Sequence, residues 1–160
     1  MSLVEERMCM IYQAKIASIV AMLALTFGFR TPMSAKPPVS VSTTAKTLYT
    51  GTFHGKVHHT SGRATVYEES DGRLILRLTN FKTSNGPDVH VVLIAVKDAS
   101  DDADFLKSHT ERVELGKLKG NEGDQNYDIP AGTDLNKFRA VSIYCERFNA
   151  NFGTAPLEKF

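Results

Sequence analysis

The 160-residue sequence predicts an all-β fold, a single-domain antiparallel β-sandwich behind an N-terminal signal or anchor segment. Three observations predict it. Short runs of alternating apolar and polar residues recur from Thr47 onward. Gly-, Asn-, Asp- and Pro-containing turns separate them, and no stretch between them reads convincingly as a helix.

Residues 1–35 form the export segment. "IASIVAMLALTFGF", residues 16–29, is uncharged and apolar or small throughout, with Lys15 before it and Arg30 after it. It suits a signal-peptide core and is short for a membrane-spanning helix, which needs roughly 20 residues. Cleavage is expected after Met33-Ser34-Ala35, and an uncleaved signal anchor is the alternative. Residues 36–46, rich in Pro, Ser and Thr, read as a flexible linker. Residues 47–160 are the sandwich domain.

Within that domain, "TLYTGTFHGKV" is the first strand, with Gly51 marking a bulge. "GRATVYEE" alternates, with Ala64, Val66 and Glu68 on one face. Asp71-Gly72 is a two-residue hairpin turn, and "RLILRLTNF" sets Leu74, Leu76 and Leu78 on one face. Asn85-Gly86-Pro87 is a further turn. "VHVVLIAV", residues 89–96, is apolar on both faces except at His90, so it belongs in the middle of a covered sheet. "VELGKLKG" and "QNYDIP" are shorter strands. "FRAVSIYCERF" is the last strong one, with Val141, Ile143 and Cys145 sharing a face. "ASDDADFLKS" could supply one helical turn.

Composition excludes several function classes. Nineteen basic and 18 acidic residues leave a net charge of +1, which gives no bulk field for nucleic acid. There is no phosphate-binding Gly-rich loop, no zinc-protease motif and no G-x-S-x-G elbow. A hydrolase is therefore not expected. The expected location is exported: periplasmic, cell-envelope or secreted.

The cysteines carry the chemistry. Cleavage would remove Cys9 and leave Cys145 alone in an oxidising compartment. A lone thiol there points to an intermolecular bond, a reactive group or a ligand. A free Cys is also among the most buried residue types, so a core-packing role stands beside the functional one. His54 and His58 would share a face of a regular strand, a spacing that permits two imidazoles on one metal, with or without His59. The plainer reading puts His58 and His59 in a polar turn, and no metal is expected. Asp88 suits a turn cap, or a carboxylate facing an imidazole or the thiol. His90 reads as a hydrogen-bonded core histidine. Asp98, Asp101, Asp102 and Asp104 are acidic enough for Ca²⁺ but lack EF-hand spacing.

"HHTSGRATVYEESDGRLILRLTNFKTSNGPDVHVVLIA", "LGKLKGNEGDQNYDIPAGTDL" and "AVSIYCERFNANFGTAPL", in that order, resemble the DM-thirteen domain family, the electron-transfer domain of Skeletor-type proteins and of exported bacterial proteins. The resemblance covers roughly Leu48 to Leu157. It implies a β-sandwich and makes Cys145 the characteristic cysteine, working as a redox thiol or as a ligand to a prosthetic group such as haem. His59, Ser61, Gly62, Phe81, Gly86, Pro87, Asp88, Phe148, Phe152 and Gly153 fall on its motif positions. The glycines are expected to serve backbone geometry and the phenylalanines packing, with His59 and Asp88 as polar groups beside the Cys145 centre. The expected partner is a redox protein acting in trans or a cell-envelope component, with membrane contact only through an uncleaved anchor. The competing reading is an extracytoplasmic interaction module in which Cys145 packs the core.

Overall fold

The computed structural model describes residues 40–42, 44–55, 58–99 and 111–160. Two antiparallel sheets build it, and among the described residues there is no helix. The strands are β1 (Lys46–Thr52), β2 (Ser61–Glu68), β3 (Leu74–Lys82), β4 (Val89–Ile94), β5 (Arg112–Lys117), β6 (Gln125–Ile129), β7 (Ala140–Cys145), β8 (Ala150–Pro156) and β9 (Glu158–Lys159). One sheet runs β6-β3-β2-β1-β9 and the other β5-β4-β7-β8.

The alternation in the sequence becomes the two-layer core. Ala64, Val66, Leu76 and Leu78 from the first sheet meet Val89, Val91, Leu93, Val141, Ile143 and Cys145 from the second. Each large aliphatic side chain fully buried there contributes about 1.5–3 kcal/mol, so this layer dominates the stability. Strands β4 and β7 lie inside their sheet, and every residue of both is buried. Their outer faces carry a second cluster, Val92, Ile94, Ala140 and Tyr144 with Ala99. Strands covered on both sides must be apolar on both sides, as residues 89–96 are.

Apart from the irregularity in β1, strict alternation breaks at three bulges. The β2–β3 register slips between Ser61 and Arg63, where Gly62 takes φ 111° and Asn80 φ 48°. Leu78 and Phe81, three residues apart, therefore both enter the core. The β4–β5 register slips at Gly116, φ 131°, and the β7–β8 register slips at Phe152. Each extra residue turns an i, i+3 pair onto one face of its sheet.

Several expectations change. The Asp71-Gly72 turn has three loop residues, because Glu69 N donates to Arg73 O at 2.8 Å and encloses Ser70, Asp71 and Gly72. The β1 irregularity falls between Thr47 and Tyr49. Gly51 instead marks a close approach, since a Cβ there would stand 2.1 Å from Pro156 O of β8. Strand β1 begins at Lys46, inside the expected linker. "ANFGTAP" forms β8, although its Asn, Gly and Pro are poor strand formers. The regular strand ends at Thr52, and His54 makes only an isolated bridge to Thr154. The export segment, residues 1–35, lies outside the described residues, as do Asp101, Asp102, Asp104 and most of "ASDDADFLKS". No described helix is long and apolar enough to cross a membrane.

Candidate functional site

Cys145 is the last residue of β7. Alternation turns its thiol into the inter-sheet core, where it is 0% exposed. Its register partners are Val89 on β4 and Ala150 on β8, both apolar. It forms no disulfide with another described cysteine.

The β3–β4 loop closes onto Val89, the β4 register partner of Cys145. The loop joining β3 to β4 brings Gly86 over Val89 and Phe152. A Cβ on Gly86 would stand 2.6 Å from Val89 Cγ2 and 3.1 Å from the Phe152 ring, so this position needs glycine for close approach. The His58 ring stacks on Phe152, with centroids 3.7 Å apart and planes at 10°. Thr60 fastens the same corner. Its hydroxyl donates to Phe152 O at 2.6 Å and so must accept from the Thr83 hydroxyl at 2.7 Å. The Ser84 hydroxyl donates to His58 O at 3.1 Å.

On the opposite face of the same sheet a charged cluster forms beside this loop. His90 Nδ1 lies 2.6 Å from Glu114 Oε1, and His90 Nε2 lies 3.1 Å from Asp88 Oδ1. Lys117 Nζ donates to the same Asp88 oxygen at 2.9 Å. Burial opposes charging the imidazole, but the hydrogen bonds and charges of Glu114 and Asp88 outweigh it and hold His90 above its ordinary value. The Lys117 hydrogen bond, joined by that of His90, holds Asp88 below the usual carboxylate range. Asp88 thus faces an imidazole, as one of its expected roles required, and its carboxylate is on the side of the sheet away from the thiol. Its backbone still links the two regions, since Asp88 O accepts from Glu146 N at 2.9 Å, next to Cys145.

The other expected residues scatter. His59 is exposed, at φ 35°, and its side chain makes no hydrogen bond, ion pair or ring contact with another described residue. His54 and His58 do not converge. His54 Nε2 pairs with Asp98 Oδ1 at 2.8 Å while His58 stacks on Phe152, and no described group of His, Cys, Asp and Glu could hold a metal. Phe81 and Phe152 pack the core as expected, but Phe148, in the β7–β8 turn, is 61% exposed. It follows the turn rather than the core.

Sequence reasoning missed one buried polar group. Ser142 Oγ donates to Asn151 Oδ1 at 2.8 Å, and Asn151 Nδ2 donates to Thr154 Oγ1 at 2.9 Å. The bulge at Phe152 sets Asn151 and Thr154 on one face. The strand-weak Asn and Gly of "ANFG" were the available signal.

A cavity of about 270 Å³ opens beside the charged cluster, lined by Ser84 to Val89, Lys117, Leu118, Gly120 and Asn121. Cys145 does not line it. Cofactor pockets commonly span roughly 300–1,000 Å³. The thiol is enclosed by protein side chains, and a haem ligated by Cys145 does not fit this arrangement.

No curated protein and no solved structure matches the chain. A family model described as electron transfer DM13 matches residues 52–157, a span that holds strands β2 to β8, the loop over Phe152 and Cys145. With well over half of its length matched, the chain belongs to the DM13 electron-transfer family.

Proposed function

We propose that this protein is an exported, single-domain redox module in which Cys145 is a bare redox thiol. What carries the reading is one conjunction: a lone described thiol, at the end of a central strand, within a domain of an electron-transfer family. The export part rests on the apolar segment 16–29. The chemistry is thiol–disulfide exchange with a disulfide-bearing partner in trans. The Cys145 thiolate attacks one sulfur of the partner disulfide, a mixed disulfide forms, and the other partner sulfur leaves as thiolate. A second, reduced dithiol partner then attacks the first partner's sulfur in the mixed disulfide and returns Cys145 as thiolate; its other thiol displaces the first partner, which leaves reduced while the second partner leaves as a disulfide. The complete burial of Cys145 means that the packing around it must open for exchange.

The same burial favours a second reading, an interaction module in which Cys145 is core packing. A single experiment separates them. A Cys9→Ser chain is treated with glutathione disulfide in the folded state, and adduct is followed by mass. Adduct at Cys145, well ahead of global unfolding, supports the redox module. Adduct only at the rate of global unfolding leaves the core-packing reading.

A further inference from the structure

We propose that Asp88, His90, Glu114 and Lys117 form a pH-sensitive latch, closed when His90 is an imidazolium, that fastens edge strand β5 and the β3–β4 loop to the centre of the sheet.

The argument begins with the β4–β5 register. His90 pairs with Lys117 and Val91 with Gly116, but Val92 pairs with Glu114. Leu115 is the extra residue, and Gly116 at φ 131° accommodates it. On a regular strand Glu114 and Lys117 would face opposite ways. The bulge turns both toward His90, which sits on β4 two residues after Asp88. The cluster is thus assembled by a local distortion, at the edge strand of the sheet.

The geometry then selects a protonation state. Both ring nitrogens of His90 face carboxylate oxygens, at 2.6 and 3.1 Å. A neutral imidazole has one N–H and could satisfy only one of them, whereas the imidazolium donates to both. With Lys117 and the charged ring, two cations balance two carboxylates. The ring is 11% exposed, so these bonds are partly shielded from water. From β7 the group facing His90 is Tyr144, its register partner, whose hydroxyl is taken by Asn149. Arg112 stacks over Tyr144 and lies 3.6 Å from Glu146. No further anion among these contacts competes for the ring.

The latch has a position that matters. Asp88 and Lys117 line the 270 Å³ cavity, and Asp88 ends the loop whose Gly86 lies on Val89 and Phe152. Releasing the Asp88 carboxylate loosens that loop and β5 together. His90 is held above its ordinary value, so the latch is whole below that ordinary value and weakens as pH rises through the folded one. Asp88 is held low, so its share is lost only as pH falls through its own depressed value. Control of access to Cys145 rests on the redox reading; the latch itself does not.

The test uses the full chain and NMR of the histidine rings, with amide-exchange protection factors for Val113 and Leu115 across the same pH range. The expected result is a His90 ring that titrates above an ordinary histidine and carries a proton on both nitrogens below that point. As the ring discharges, the β5 protection factors should fall by about tenfold, the scale of one charge-assisted hydrogen bond. His90→Gln should flatten that step. If it does not fold, Glu114→Gln, which changes an exposed carboxylate, should lower the His90 pKa instead. A His90 ring that titrates at or below an ordinary histidine overturns the latch, as does a β5 protection profile that ignores His90 discharge. Glutathione-disulfide adduct at Cys145, measured in parallel in a Cys9→Ser chain, reports the redox reading separately. A working latch with an inert Cys145 would sink that reading and leave the latch standing.

Discussion

Thr60 and Gly153 interlock across the sandwich: a Cβ placed on Gly153 would stand 2.4 Å from the Thr60 Cβ and 2.7 Å from its hydroxyl oxygen. The hydroxyl cannot swing away, because it donates to Phe152 O and accepts from Thr83. Gly153→Ala is therefore expected to destabilise the domain by about 1–3 kcal/mol through overpacking. Chemical denaturation measures it, and an unchanged midpoint would show that the corner is looser than its contacts indicate.

Two phenylalanines four residues apart should behave oppositely. Phe152 is 2% exposed in the core and Phe148 is 61% exposed in the turn. Phe152→Ala should cost about 3–5 kcal/mol. Phe148→Ser should change stability by no more than about 0.5 kcal/mol. Paired melts of the two variants check the contrast, and equal losses would contradict it.

The Ser142–Asn151–Thr154 group is fully buried and hydrogen-bonded. Asn151→Ala strands the Ser142 and Thr154 hydroxyls and removes an acceptor for Gly153 N. A loss of about 1–3 kcal/mol or more is expected by urea unfolding. A neutral outcome would mean that water replaces the amide.

Burial pushes the Tyr127 phenol up to about 12, from an ordinary value near 10. The phenol donates to Gln125 Oε1 at 2.7 Å and accepts from Lys119 N at 3.2 Å. Because the folded value is raised, this group's stabilisation is complete below the unfolded value and is lost as pH climbs from there towards the folded one. Ultraviolet titration should show one phenol ionising late, and Tyr127→Phe should abolish that late step. Ionisation of every phenol together near the ordinary value would contradict the burial argument.

Cys145 lies in apolar surroundings, so Cys145→Ser would bury a hydroxyl and cost about 1–3 kcal/mol unless it finds a partner. Cys145→Ala should cost about 1 kcal/mol. Thermal melts rank the two. A serine variant as stable as the alanine variant would reveal a polar neighbour or water beside the thiol.

Much of this molecule is legible in the sequence, for a simple reason. Alternation along "ATV", "LILRL" and "AVSIYC" reports which side chains leave water, and the hydrophobic effect acts on each strand in much the same way wherever it pairs. The inward thiol of Cys145, the interior placement of residues 89–94 and the break between β3 and β4 at Asn85-Gly86-Pro87 follow from that local pattern. The candidate site was less legible. His59 shares the motif with Cys145 but is exposed, whereas His58 and Thr60, on either side of it, hold Phe152.

By itself, then, the sequence determined the all-β class, most of the strands, the faces of the regular ones and the buried thiol. Tertiary structure alone decided which residues meet. The extra residues beside Gly62, Gly116 and Phe152 each reverse the phase of a strand, and a bulge is visible only against the partner it slips along. Those slips bring Phe81 into the core, Glu114 and Lys117 to His90, and Asn151 and Thr154 to Ser142. Register is a property of two strands, and one strand's sequence records only half of it.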